Sequence, residues 1–370
     1  MSGSLIVMRW AHFAAAMVLI GVFSFRLFVG DPAFREAARA ECGVDRRPFT
    51  ARLARIAFGT LGLTFLSGTL WLLLQASVMS GRPVSAVFHG GVVPTVILGT
   101  QVGHAWLGRT GLLTILAIVL VFRRKPLRNG SRALLSIALA LSAAELSALV
   151  WAGHAGAARG AWGAAEQAAD AVHLVAAGIW LGGLGPLALL LATARREGDE
   201  RWLLVARIAA TRFSTLGILS VASLLATGIT SSWFWVGDTA ALLGTDYGRC
   251  LLLKLGFFAA MVGVASVNHI RWVPRLASAP ATLGSEPAWE TIHELQRNTA
   301  IEAGLGVLIL GIVAVLGILP PAAHPHVHVG SRGALREMPV SIRIDDSLDW
   351  SQIAAELAPR SDSVLRGPHA

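Results

Sequence analysis

Eleven histidines are the residues of this chain best suited to chemistry, and most stand near one end of a long apolar block. His12 lies in the first block and His89 and His104 in a connection. His154 closes the fourth block in AGHA, and His173 opens the fifth in DAVH. Three more, His324, His326 and His328, follow the last block as HPHVH, where alternate residues of an extended strand would share a face. Imidazole is the commonest neutral ligand of copper, zinc and haem iron, so histidines gathered at one level predict a metal or haem site. Any one of them is more simply a hydrogen-bonded residue at a helix end, and it is their convergence that favours ligation. Met8, four residues before His12 and on its helical face, could add a thioether. Asp170, one turn before His173, could orient that imidazole as a carboxylate partner.

Helices in a membrane must position these side chains. Of the residues, 54% are hydrophobic and 14% charged, and the mean hydropathy is +0.62, which excludes a soluble enzyme. The apolar blocks are long, rich in Leu, Ala, Val and Gly, and lack strict alternation, so the fold class is an all-α polytopic bundle rather than a barrel. Eight blocks are long enough to span: 5–29, 53–78, 105–122, 133–154, 168–194, 208–236, 247–273 and 298–319. Alternate connections hold 17 Lys and Arg, against 2 in the others. That asymmetry puts the basic connections in the cytoplasm and both termini in the periplasm of a bacterium. Every histidine named above then lies toward the periplasmic side. The net charge of +9 reflects orientation in the lipid bilayer, not nucleic-acid binding. The first block has its basic flank after it, unlike a cleaved signal peptide. Residues 1–320 are expected to form the eight-helix domain and 321–370 a short periplasmic tail without its own core. Cys42 and Cys250 stand too far apart in the pattern to suggest a disulfide or thiolate site.

Ionisable residues inside spans are functional candidates, and Glu145, Lys254 and Glu302 qualify. Glu145 and Lys254 lie at similar depth, which permits a buried ion pair or, for Glu145, a place on an inward path. Glu302 reads as structural, with Arg207, Arg212 or Arg297 to neutralise it. Gly178 and Gly182 have the spacing of a close helix contact, with Pro186 a kink candidate. The stretch VVPTVILG, too short to span and interrupted by Pro94, reads as an outer lid or interfacial segment. Motifs for nucleotide binding or covalent catalysis are missing, so neither direct ATP drive nor an enzyme is expected.

Several of these blocks, taken in order, resemble the copper resistance protein D (CopD) family of bacterial inner-membrane proteins. They are RWAHFAAAMVLIGVFSFRLF (9–28), AGHA (152–155), DAVHLVAAGIWLGGLGPL (170–187), RFSTLGILSVASLLATG (212–228), TDYGRCLLLKLGFFAAMVGVASVNHIRWVPRL (245–276) and RNTAIEAGLGVLILGIVAVLGILPPAAH (297–324). The resemblance implies copper resistance or copper movement across the inner membrane, commonly beside a periplasmic CopC-like copper-binding partner. It favours His12, His154 and His173 as the matching polar positions. Where the family often has NR before PRL this chain has NH, so His269 is a departure. Three readings stay open: copper captured by outer imidazoles and passed inward, a haem b electron carrier using the same histidines as axial ligands, or an assembly or sensing partner that binds copper without moving it.

Overall fold

The computed structural model describes residues 2–123, 129–152, 160–235, 239–278 and 286–319. His154, His324, His326, His328 and the tail 321–370 lie outside them. Twelve α-helices are described: α1 (Ser2–Phe25), α2 (Asp31–Arg39), α3 (Arg47–Ser80), α4 (Val92–Gly99), α5 (Gln101–Phe122), α6 (Arg132–Ser147), α7 (Gly160–Glu197), α8 (Glu200–Trp235), α9 (Thr239–Gly244), α10 (Asp246–Val267), α11 (Val273–Ser278) and α12 (Glu286–Leu316). Among the described residues, eight helices are long and apolar enough to cross a membrane: α1 with its α2 extension, α3, α5, α6, α7, α8, α10 with α11, and α12. This is the expected all-α polytopic bundle.

Local chemistry sets the helix boundaries. Thr100 and Thr245 are extended N-caps whose hydroxyls accept the Gly103 and Gly248 N–H, starting α5 and α10. Five-residue π turns, Arg26–Gly30 and Asn268–Trp272, follow α1 and α10. Pro32 and Pro274 stand just beyond them. A proline withholds the N–H that would reach back to Phe28 or Ile270, and the turn widens ahead of it. Pro94 sits in the first turn of α4, where a missing N–H costs nothing. The stretch therefore folds as a short helix, held by Val96 against Leu72 and Ala76 of α3. Pro186 is buried within α7, which runs on to Glu197.

The centre of the bundle is the contact of α1 with α7. A side chain on Gly182 would meet the Met17 carbonyl, and one on Gly21 would meet the Gly182 backbone, so the two helices touch main chain to main chain. Around them Leu19, Phe23, Leu53, Leu116, Trp180 and Leu184 are buried. Large apolar residues such as Leu66, Phe122, Leu219 and Ile270 point outward, as lipid contact requires. Cys42 and Cys250 are free thiols.

Candidate functional site

Four spanning helices bring His12 (α1), Ser67 (α3), Arg109 (α5) and Glu145 (α6) together, about 10–20 Å along their helices from the face at which α1 begins. His12 and Glu145 are 1% exposed and Arg109 5%. The Arg109 guanidinium donates to Glu145 Oε1 through Nη2 at 2.6 Å and Nε at 3.2 Å. The same Nη2 bonds His12 Nε2, which lies 3.7 Å from Glu145 Oε1. Ser67 Oγ donates to the Leu63 carbonyl at 2.6 Å, which leaves its oxygen to accept from His12 Nδ1 at 3.0 Å. This network assigns the neutral tautomer with the proton on Nδ1 and a basic lone pair on Nε2, aimed at the guanidinium. Glu145 Oε2 is buried and has no hydrogen-bond partner among the described residues.

An aromatic wall closes the site toward the starting face of α1. The Trp71 ring lies 5.7 Å from the His12 ring, and the Arg9 guanidinium sits over the same indole, 5.1 Å from its centroid. Met8 packs against this apolar wall, beside the cluster that holds Trp71. A base, a carboxylate with a spare oxygen and a side-chain cation between them form a cation position in a low-dielectric setting.

A second polar group surrounds His173 on α7. Its Nδ1 bonds Thr227 Oγ1 at 2.9 Å, and Thr227 in turn donates to the Ser223 carbonyl at 2.7 Å, so this imidazole too presents Nε2 as the base. Lys254 of α10 acts electrostatically on His173, and Asp170 acts on Lys254 and Tyr247. Thr227 thus holds the Nδ1 side of the ring.

Among the described residues, His104 and His89 stand apart from both groups. His104 Nε2 bonds the Leu98 carbonyl at 2.9 Å, and His89 is exposed in the turn before α4. Among the described residues no three of His, Cys, Asp and Glu lie close enough to hold one metal ion. Glu145 pairs with Arg109 and not with Lys254, because α5 packs on α6 while Lys254 belongs to the other half of the bundle. Arg109 was overlooked by sequence reasoning, although it is the one charge in the 105–122 block; Ser67 carries no comparable signal.

Toward the opposite face, α7, α8, α10 and α12 border a half-open, largely apolar cavity of about 300 Å³, whose lining of Trp180, Phe213, Leu295 and other apolar residues also includes Ser214, Asn268, His269 and Glu302. The π turn aims Asn268 at Glu302 Oε1 (2.7 Å), and Asn298 donates to Asn268 at 2.8 Å. Ser214 bonds His269 Nδ1 at 2.7 Å. Of the arginines expected to neutralise Glu302, Arg212 pairs with Glu36 and Arg297 with Glu294. Substituting Asn268→Leu removes the donor to a buried carboxylate and is expected to cost about 1–3 kcal/mol, read as a lowered Tm in detergent.

These features define a multi-pass membrane protein with a buried imidazole–guanidinium–carboxylate site in one half and a largely apolar cavity carrying a few polar groups in the other. Residues 1–164 match the family description "Copper resistance protein D-like, N-terminal domain", and residues 207–316 match "Copper resistance protein D". Copper resistance protein D of Pseudomonas syringae pv. tomato is 32% identical over 319 residues, which is 85% of this chain and 96% of that one. The chain therefore belongs to the copper resistance protein D family. Inner membrane protein YebZ of Escherichia coli (strain K12) is 27% identical over 85% of this chain and 98% of its own. Copper transport protein CutJ of Bacillus subtilis (strain 168) is 25% identical over 74% of this chain and 47% of its own. No solved structure matches.

Proposed function

We propose that this protein handles copper in the bacterial inner membrane, taking the ion from the periplasmic side at the His12 site and moving it across. The carrying observation is the arrangement of His12 Nε2 and Glu145 around the Arg109 guanidinium. A monovalent copper ion entering there replaces the side-chain cation, keeps the buried charge balanced, and gains an imidazole and a carboxylate. The 17-to-2 distribution of Lys and Arg supports placing this site on the periplasmic side. The names of two relatives, a copper resistance protein and a copper transport protein, support the cargo. For an onward route, the support is the largely apolar cavity whose polar lining includes Glu302, Asn268 and His269. The tail histidines His324, His326 and His328, with a CopC-like periplasmic protein, would deliver copper to His12.

The test is copper content and visible spectra of the protein purified in detergent, followed by copper flux in vesicles. Bound copper without a Soret band, with flux lost in Glu145→Gln, is the expected result. A Soret band with sharp reduced α and β bands would overturn it and reassign His12 and His173 as axial ligands of haem b.

A further inference from the structure

The two halves of the bundle repeat each other. His12, Ala15, Ala16 and Gly21 of α1 match His173, Ala176, Ala177 and Gly182 of α7 in type and spacing, and Ser67-Gly68 of α3 match Thr227-Gly228 of α8. Ahead of and into α5, Leu98, Gly99, Thr100, Gly103, Arg109 and Gly111 find the same spacing in Leu243, Gly244, Thr245, Gly248, Lys254 and Gly256. Among these last six pairs only the cation changes type.

The geometry repeats with the sequence. Thr100 and Thr245 each accept from the glycine three residues on at 3.0 Å. His104 and Arg249 each bond the carbonyl six residues back, that of Leu98 or Leu243. A Cβ on Gly103 or Gly248 would strike the carbonyl of Ile97 or Leu242, again six residues back, because a short helix, α4 or α9, turns tightly into the long one. Gly21 and Gly182, equivalent residues, touch each other. Equivalent residues meet in this way where they lie on a two-fold axis, and because α1 and α7 start at the same face the axis runs along the membrane normal. One unit is α1, α3, α5 and α6; the other is α7, α8, α10 and α12.

The polar groups obey the same relation. His173 takes the place of His12, Thr227 that of Ser67 and Lys254 that of Arg109. In both units a back-bonded hydroxyl holds Nδ1–H and leaves Nε2 as the base, the arrangement that prepares an imidazole for a metal. We propose that the chain carries two related copper sites, one per repeat: His12, where copper displaces the Arg109 guanidinium, and His173, where Lys254 stands at the position that matches Arg109. This rests on the copper reading above. Arginine is a planar fork held on two partners at the first site, whereas lysine is a point charge on a flexible stem at the second, so the two sites differ in affinity.

Titration of the full chain with Cu(I) against a chromophoric chelator tests this. His324, His326 and His328 are replaced by Ala so that the tail adds no copper. Two ions per chain are expected, one after His12→Ala or His173→Ala, and none after both. Lys254→Met, which removes the competing cation and keeps the volume, is expected to tighten one site at least tenfold, and it reports on the second site without truncating either imidazole. One ion per chain, lost entirely on either histidine substitution, would mean a single shared site and overturn the proposal while leaving copper handling intact. Failure of the tail-substituted chain to bind any copper would overturn both.

Discussion

Glu145→Ala is expected to lower the stability of the protein by about 3–5 kcal/mol, because it strands the Arg109 guanidinium in the membrane interior. Arg109 is 5% exposed and directs Nε and Nη2 at Glu145 Oε1; its remaining contact, His12 Nε2, is neutral. The informative comparison is the double variant Arg109→Met with Glu145→Leu. It removes both charges and retains similar volume, so stability should return to within about 1–2 kcal/mol of the parent. Copper binding at His12 should stay lost in the double variant, since the carboxylate is gone. Thermal unfolding in detergent together with copper stoichiometry separates the two effects. A Glu145→Ala protein as stable as the parent would show that the ion pair does not hold the four helices together.

Gly182→Leu is expected to prevent assembly of the bundle. Any Cβ at this position meets the Met17 carbonyl and the Gly21 backbone, and neither can rotate away as a side-chain end could. Overpacking in a core costs about 1–3 kcal/mol, and here a whole isobutyl group forces two main chains apart, so the cost lies at or above the top of that range. Gly185, on the same helix, faces open space, with nothing within 4 Å of where a Cβ would stand, and serves as the control. Gly185→Ala should be neutral or raise stability by up to about 1 kcal/mol through helix propensity. Size-exclusion profiles of the two variants, expressed as fluorescent fusions, give the comparison directly. A monodisperse Gly182→Leu protein at parental yield would remove the α1–α7 contact from the centre of the fold.

Much of the site was legible in the order of residues alone. His12, His173, Glu145 and Lys254 announce themselves as polar groups within apolar blocks, since a membrane span gives such residues a cost that must be met. Their partners were not legible. Glu145 could be paired with Lys254 from depth alone, and depth is all that position along a helix supplies; Arg109 became the partner because α5 lies against α6. Likewise the histidines share a level, but a level is a plane, and within it His12 and His173 sit in separate groups while His89 and His104 stay near α4. The repeat was available in the sequence as LGT followed by Gly, a cation and Gly at fixed spacing, yet without the Gly21–Gly182 contact it had no geometric meaning.

The sequence by itself determined the all-α class, the eight spans, the alternation of basic connections and the close approach at Gly178 and Gly182. Each follows from local terms: transfer of apolar side chains into lipid, internal satisfaction of the backbone, charge near the membrane surface, and the absence of a side chain at glycine. Which helices are neighbours was decided only in the tertiary structure. Inside the bilayer one apolar helix face is nearly as well solvated by lipid as by another helix, so hydrophobicity does not choose the pairing. Shape does, through main-chain contact at Gly21 and Gly182 and through the few polar groups, His12, Arg109 and Glu145 among them, that must find one another.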